Sequence, residues 1–236
     1  MSKIRGALHD PLLSVVMPAF NEAATIEEIV RRVVALPLRT QLIVVDDAST
    51  DGTRELLQRL QQDLGFTLLL QSQNKGKGAA LRRGFEVVRG DLVVIQDADL
   101  EYSPEEFPML IELICQGRAD VVYGSRFLGR HRVFLFSHYL GNRLLTLITN
   151  ILYNTMLTDM ETCYKVMRTE VLRSMRLQSN GFGIEPELTA KIFKRGYRVY
   201  EVPITYDGRG YDEGKKIGWR DGVVALWVLL RYRFSE

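Results

Sequence analysis

The 236-residue sequence has only two cysteines, Cys115 and Cys163, with no C-x-x-C pair and no Cys/His pair at zinc spacing. Neither a disulfide scaffold nor a structural zinc site is supported, and a reducing compartment is the simpler setting. An excess of either charge is also missing: 31 Lys plus Arg against 29 Asp plus Glu leave a formal net charge of +2. Bulk charge thus argues against a nucleic-acid binder. Long apolar runs are absent too. No stretch of about 18 uninterrupted apolar residues occurs, so no membrane-spanning helix is expected. The opening MSKIRGALHDPLL has no apolar core of a secretion signal. The expectation is a cytoplasmic protein, soluble or resting on the inner surface of a membrane. Repeats and low-complexity linkers are likewise missing. What is present, 46% hydrophobic and 25% charged residues, suffices for a full core.

From Leu13 to about Arg126, short apolar runs alternate with amphipathic stretches. Residues 13–18, 42–46, 66–70, 92–95 and 121–123 have the length and aliphatic content of buried strands. Between them, 24–36, 53–64, 78–88 and 104–116 show helical spacing. In the first, Ile26, Ile29, Val30, Val33 and Val34 share a face opposite Glu27, Glu28, Arg31 and Arg32. Thr25 with Glu28 predicts a capping box, and Ser103-Pro104 predicts the start of the fourth helix. Such alternation with continuous apolar strands predicts an α/β fold: a mostly parallel sheet flanked by helices. After Arg126 the texture changes. Residues 121–158 hold Arg126, Arg130, Arg132, Arg143, His131 and His138 but no acid. A strongly apolar segment follows at 139–157, broken by Arg143, Asn150 and Asn154. Then come a strand at 162–167, a helix near 186–194, a strand at 197–202, a Gly/charge-rich loop at 207–218, and an amphipathic helix at 219–234. The chain reads as a single domain over 1–236, with a ligand-facing half (13–126) and a C-terminal elaboration (127–236).

Ligands of open parallel sheets bind at the carboxyl ends of strands, and here those ends are rich in acids. The first strand ends in Pro18-Ala19-Phe20-Asn21-Glu22, and the second in Asp46-Asp47-Ala48-Ser49-Thr50-Asp51-Gly52-Thr53. The fourth ends in Asp97-Ala98-Asp99-Leu100-Glu101, and the fifth in Gly124-Ser125-Arg126. Acidic clusters on one edge repel unless something cationic sits among them: a divalent metal, a cationic ligand or buried arginines. Asp97-x-Asp99 offers hard oxygens suited to Mg²⁺ or Mn²⁺, although aspartates at a strand end also simply cap turns. Asp51 and Thr53 are explained by capping alone. Of Asp46 and Asp47, one can accept a hydrogen bond from a uracil or guanine N–H; paired aspartates also serve metal or phospho-acceptor pockets.

In order, PAFNE, DDASTDGT, NKGKGAA (74–80), DADLE and GSR resemble the inverting glycosyltransferases of family 2. The likeness continues more loosely through TDMETCYKVMR (158–168), GFGIEPEL (181–188) and EVPITYDGRGYDEGKKIG (201–218). Within the family, the soluble, anchorless polyprenyl- or dolichol-phosphate sugar synthases are the most similar branch. The resemblance implies the GT-A nucleotide-sugar-binding fold and, for the two halves, a nucleotide-sugar-binding part and an acceptor- and membrane-facing part. It implies transfer of a hexose from a donor of the GDP-mannose or UDP-glucose type to a polyprenyl phosphate. By it, Pro18, Phe20 and Glu22 line the base and ribose pocket, and Asp47 meets the base. Asp97 contacts the ribose or sugar, and Val45, Lys77 and Ala98 belong to the donor site as well. Asp99 and Glu101 hold the Mg²⁺ or Mn²⁺ that bridges the diphosphate; many relatives have Gln at the position of Glu101. Arg126 meets the acceptor phosphate or the donor diphosphate, making Asp97, Asp99 and Arg126 the catalytic set. Arg209, Lys215 and Lys216 form a loop that closes on donor phosphates, a composition that fits a mobile lid.

Beyond Arg126 the pattern departs from the mannose-transferring relatives, so Arg130, Arg132 and Arg143 are no more than candidates for binding the acceptor phosphate. Asp159 and Glu161 stand where other family members place a catalytic base. A phosphate acceptor needs none, whereas a hydroxyl acceptor does; a glycan acceptor is therefore the alternative. Residues 139–157 and 219–234 suit interfacial helices, or else pack on the sheet or in a dimer. A phospho-receiver leaves DADLE unused, and a nucleotidyltransferase requires a Gly-rich basic loop where PAFNE stands. A non-catalytic nucleotide-sugar sensor has the same motifs. Oligomeric state is not legible.

Overall fold

The computed structural model describes residues 6–132, 135–208 and 218–235. Seven strands form one sheet: β1 (Leu13–Ala19), β2 (Thr40–Asp46), β3 (Thr67–Leu70), β4 (Leu92–Ile95), β5 (Val121–Ser125), β6 (Lys165–Arg168) and β7 (Val199–Pro203), in the order β3-β2-β1-β4-β6-β5-β7. β1, β2, β3 and β4 are parallel, and β7 pairs parallel with β5. β6 runs antiparallel to both β4 and β5, so the sheet is mixed. Helices α1 (Ile26–Val34), α2 (Thr53–Leu64), α3 (Lys77–Phe85) and α4 (Phe107–Cys115) connect the first strands, with a 3₁₀ turn at Pro104–Glu106. The second half adds α5 (Phe136–Tyr153), α6 (Thr169–Arg173), α7 (Ile184–Lys194) and α8 (Trp219–Phe234). The central strands are largely apolar because helices cover both faces; Val15, Val16, Val44, Val94 and Val122 are fully buried, whereas the edge strands β3 and β7 are only partly so.

The capping box at Thr25 does not form. Its hydroxyl instead donates to the Ala98 carbonyl at 2.7 Å, tying the start of α1 to the Asp97–Glu101 turn. Ser103 makes no side-chain cap either. Three non-glycine residues have positive φ just past strand ends: Asn21 (54°), Ala48 (62°) and Leu100 (63°). Each sits in a left-handed conformation that costs an L-residue about 1–2 kcal/mol, and all three fall in the acidic loops. Such strain persists only where surroundings over-determine it. Here Ser49 Oγ accepts from Asn21 N–H (3.0 Å), Asn21 Oδ1 from Thr50 N–H (2.9 Å), Thr53 Oγ1 from Glu22 N–H (2.9 Å) and Asp51 Oδ2 from Ala23 N–H (3.0 Å). Ser49, Asp51 and Thr53 therefore lock the first loop to the second.

Helix α5 is inside out. Its two buried residues are Thr146 and Thr149. Meanwhile Phe136, Leu140, Leu144, Leu147 and Ile151 form an apolar stripe that is exposed. Helix α8 packs on α5 and α7. It buries Ala225, Val228, Leu229 and Tyr232 but exposes Val223, Val224, Trp227, Leu230 and Phe234.

Candidate active site

The loops after β1, β2 and β4 converge with α3, α5, α7 and α8 on a cleft of about 860 Å³. Its floor carries Glu22, Asp47, Asp97, Asp99, Glu101, Glu161, Glu185 and Asp221, against Lys77 and Arg126 among the described residues. Pro18, Phe20 and Ala98 line it as expected. Val45 does not: its side chain faces away into the core, against Gly84 of α3. This corrects the expectation that it meets the donor, because the residue precedes the strand's end.

The two adjacent aspartates have separate duties. Asp46 is fully buried and ion-paired to Arg54 at 2.5 Å, a structural pair. Asp47 lines the cleft and gathers the 74–80 loop. Its Oδ1 accepts from Gln71 Nε2 (2.6 Å) and Lys75 N–H (2.8 Å), and its Oδ2 from Gly76 N–H (2.7 Å). Gly76, at φ 90°, and Gly78 are required there, since a Cβ on either would meet the backbone of Ser179 to Gly181. Asp47 thus keeps little acceptor capacity beyond this loop.

Lys77, the first residue of α3, is a centre of charge. Its Nζ sits 2.7 Å from Asp97 Oδ1 and 3.4 Å from Glu185 Oε1. Burial alone depresses an ammonium, but Asp97, Cys163 and Glu185 raise Lys77 well above its usual value, so it stays charged. Glu185 also holds the fully buried Lys165 at 2.6 Å. Sequence reasoning missed Glu185: an acid in the first turn of a helix reads as an ordinary favourable partner of the helix dipole. His138 and Asn142 of α5 also reach the cleft, and no local signal separates them from the other polar residues of that apolar segment.

Arg126 reaches the cleft but does not stand alone. Asp159 Oδ2 accepts from Arg126 N–H (3.0 Å) and Nε (2.7 Å), and Oδ1 from a terminal nitrogen (2.7 Å). The pair is bidentate, leaving three guanidinium N–H donors for other partners. Burial opposes the charge, yet Asp159 holds the guanidinium well above its usual pKa. Asp159 is 0% exposed and absent from the cleft lining. Its geometry contradicts the base expected there: both oxygens are committed to arginine.

Glu161 does face the cleft. Its Oε1 is buried without a hydrogen-bond partner. Burial, opposed by Lys165 and reinforced by Glu185, pushes its carboxyl up to about 7. Arg130, Arg132 and Arg143, candidates for the acceptor phosphate, are exposed on the surface outside the cleft. Arg132 and Arg143 donate to the Gly208 and Thr158 carbonyls, respectively. Arg209, Lys215 and Lys216 lie outside the described residues.

Asp99 and Glu101 both line the cleft. Asp99 Oδ1 accepts from Glu101 N–H (3.2 Å), and Glu101 Oε2 from Tyr206 Oη (2.6 Å). Among the described residues no group of three or more His, Cys, Asp or Glu could hold a metal by itself. Two hard carboxylates beside a surplus of negative charge fit an ion that takes its remaining ligands from phosphates and water, as Mg²⁺ does.

A mixed sheet of this order, with a carboxylate-lined cleft at the carboxyl ends of its strands, defines a GT-A glycosyltransferase. The chain superposes on glucosyl-3-phosphoglycerate synthase from Mycobacterium tuberculosis, determined with Mn²⁺, UDP and phosphoglyceric acid. The TM-score is 0.74 at 24% identity, covering 96% of this chain and 80% of that one, a likeness of fold. Residues 14–176 match the profile for glycosyl transferase family 2, and the chain belongs to that family. It is 32% identical over 212 residues to dolichol-phosphate mannosyltransferase of Pyrococcus furiosus, covering 87% of this chain and 59% of that protein. It is 31% identical over 239 residues to undecaprenyl-phosphate mannosyltransferase of Micrococcus luteus, covering 93% and 98%. The chain thus spans about three-fifths of the Pyrococcus protein and nearly all of the Micrococcus one.

Proposed function

We propose that this glycosyltransferase moves a hexose from a nucleotide sugar to a polyprenyl phosphate, with inversion, while resting on a membrane surface. One observation carries the reading: a single cleft joins charged residues of the sheet edge to apolar residues of two helices. The sheet-edge loops, with α3, bring Asp47, Lys77, Asp97, Asp99 and Arg126, while α5 and α8 bring Leu144, Leu145, Ile148, Val223 and Leu226 beside His138, Asn142 and Asp221. Leu144 and Val223 belong at once to that lining and to the exposed apolar surface. A phosphate on a prenyl tail matches both sets of residues. The names of the Pyrococcus and Micrococcus relatives support the same acceptor class.

In this reading Pro18, Phe20, Glu22 and Asp47 receive the nucleoside, and Asp97 a sugar hydroxyl. Lys77 and Arg126 face the phosphates as fixed cations, aimed before substrate arrives. Asp99 and Glu101 hold Mg²⁺ or Mn²⁺, which when bound neutralises the leaving diphosphate. An acceptor phosphate oxygen, already ionised, attacks the anomeric carbon; the bond to the diphosphate breaks and its electron pair leaves with the nucleotide. No helix among the described residues is long and apolar enough to cross a membrane, so contact is interfacial, through the outward stripes of α5 and α8. A radiolabelled donor panel of GDP-mannose and UDP-glucose, with and without undecaprenyl or dolichyl phosphate, tests the proposal. Label in the organic phase only when lipid phosphate is present is expected; binding without turnover indicates a sensor and refutes it.

A second reading rests on Glu161. An unpartnered carboxylate oxygen in the cleft, with its proton held to about pH 7, suits a base for a hydroxyl acceptor. Transfer to a glycan or other hydroxyl in the same panel, lost in Glu161→Gln, favours it.

A further inference from the structure

The segment after β7 is pinned on both sides. Tyr206 N–H donates to the Arg130 carbonyl (3.1 Å), and Arg132 N–H to the Tyr206 carbonyl (3.0 Å). On the other side Thr205 N–H donates to Glu106 Oε1 (2.8 Å) and Asp207 N–H to the Glu101 carbonyl (3.1 Å). The Tyr206 side chain is therefore delivered to one place, buried in the cleft wall. Its hydroxyl meets Glu101 Oε2 at 2.6 Å. Its ring lies 5.2 Å beneath the Arg126 guanidinium and 5.1 Å, edge on, from the Tyr102 ring. One side chain thus touches a carboxylate suited to a metal and a cation suited to a phosphate.

We propose that Tyr206 is a positioning residue for the metal site: its hydroxyl fixes the rotation of the Glu101 carboxylate, while its ring face seats Arg126. The proposal rests on Asp99 and Glu101 as the metal ligands. A glutamate has three rotatable bonds, and tethering one oxygen leaves the other a single direction. With only two protein ligands, an ion depends on that direction more than in a closed cage. Groups that hold ligands, one bond behind the metal, typically change its affinity 10- to 100-fold. A carboxylate at position 101, unlike an amide, carries no donor of its own, so a neutral hydroxyl is the partner that orients it without cancelling its charge.

Tyr206→Phe separates the two duties, because it removes the hydroxyl and keeps the ring under Arg126. Mn²⁺ is titrated into the full chain with excess UDP and, separately, GDP, and free Mn²⁺ is read by electron paramagnetic resonance. Tyr206→Phe is expected to weaken Mn²⁺ binding about 10- to 100-fold, with the melting temperature nearly unchanged. In a Glu101→Ala background the same change should add nothing, since the group it orients is gone. Wild-type affinity in Tyr206→Phe, or equal weakening in both backgrounds, overturns the proposal while leaving the metal reading intact. Failure of the wild type to bind Mn²⁺ with either nucleotide overturns the metal reading, and the proposal with it.

Discussion

Replacing Asp159 by alanine should unfold the protein more readily than any loss of catalysis would suggest. Asp159 is 0% exposed and Arg126 8% exposed, and three hydrogen bonds of 2.7–3.0 Å join them. Removing the carboxylate strands a guanidinium in a site where burial already works against its charge. Breaking one side of such a buried pair costs about 3–5 kcal/mol. For a chain of this size each kcal/mol moves the melting temperature by about 2–4 °C, so a fall of about 6–20 °C is expected by calorimetry. Asp159→Asn keeps one accepting oxygen and should fall less. A double variant, Arg126→Met with Asp159→Leu, removes both charges and should recover most of the stability without activity. A melting temperature for Asp159→Ala within a degree of wild type, with activity abolished, would refute the structural pairing and restore Asp159 as a base.

Glu161 sets a pH dependence of opposite sign to that of a salt-bridged acid. Its folded-state value of about 7 stands above the ordinary 4.5, so the protonated form favours folding. Stability should be full below about pH 4.5 and fall by up to about 3 kcal/mol as pH rises to about 7; denaturant titrations in which Glu161→Gln keeps that slope would contradict it. Asp99→Ala, or excess EDTA on the wild type, should reduce transfer on the order of a thousandfold with the fold intact, and full turnover in EDTA would remove the metal from the scheme. Trp227 is 56% exposed on the outer face of α8. Trp227→Glu should weaken co-sedimentation with anionic vesicles at least tenfold, as burying a large side chain contributes about 1.5–3 kcal/mol. Wild-type protein left in the supernatant at low salt would assign that face to another contact.

The first half of the fold was legible because its signals are local. Strand runs, helical periodicity and the loops at strand ends appear where expected, and Pro18, Phe20, Asp47, Lys77, Asp97, Asp99 and Arg126 meet in one cleft. What failed depended on distance along the chain. Thr25 and Glu28 look like a capping box, but a carbonyl 73 residues away takes the threonine hydroxyl. Asp159 looks like a base until its partner, 33 residues earlier, is seen. Helix α5 is different: its apolar segment reads as an interfacial helix or as one packed on the sheet, and the buried Thr146 and Thr149 show that the stripe faces out. Val45 failed for a different reason: it lies within β2, and the cleft begins only past the strand's end, at Asp47.

The antiparallel β6 carries a consequence for synthesis. It pairs with β4 on one side and β5 on the other, yet it leaves the ribosome about 70 residues after β4, several seconds at about 5–20 residues per second. Throughout that interval β4 has a bare edge of unpaired amides beside an apolar core, the arrangement most open to wrong pairing. β5 cannot take its final place either, because its neighbour toward the centre has not been made. A fragment ending at Arg126 would hold the acidic loops after β1, β2 and β4 and still be an open template for aggregation. Chain completion through Arg168 is thus the step that closes the exposed edge of β4, while the cleft still awaits α7, Tyr206 and α8.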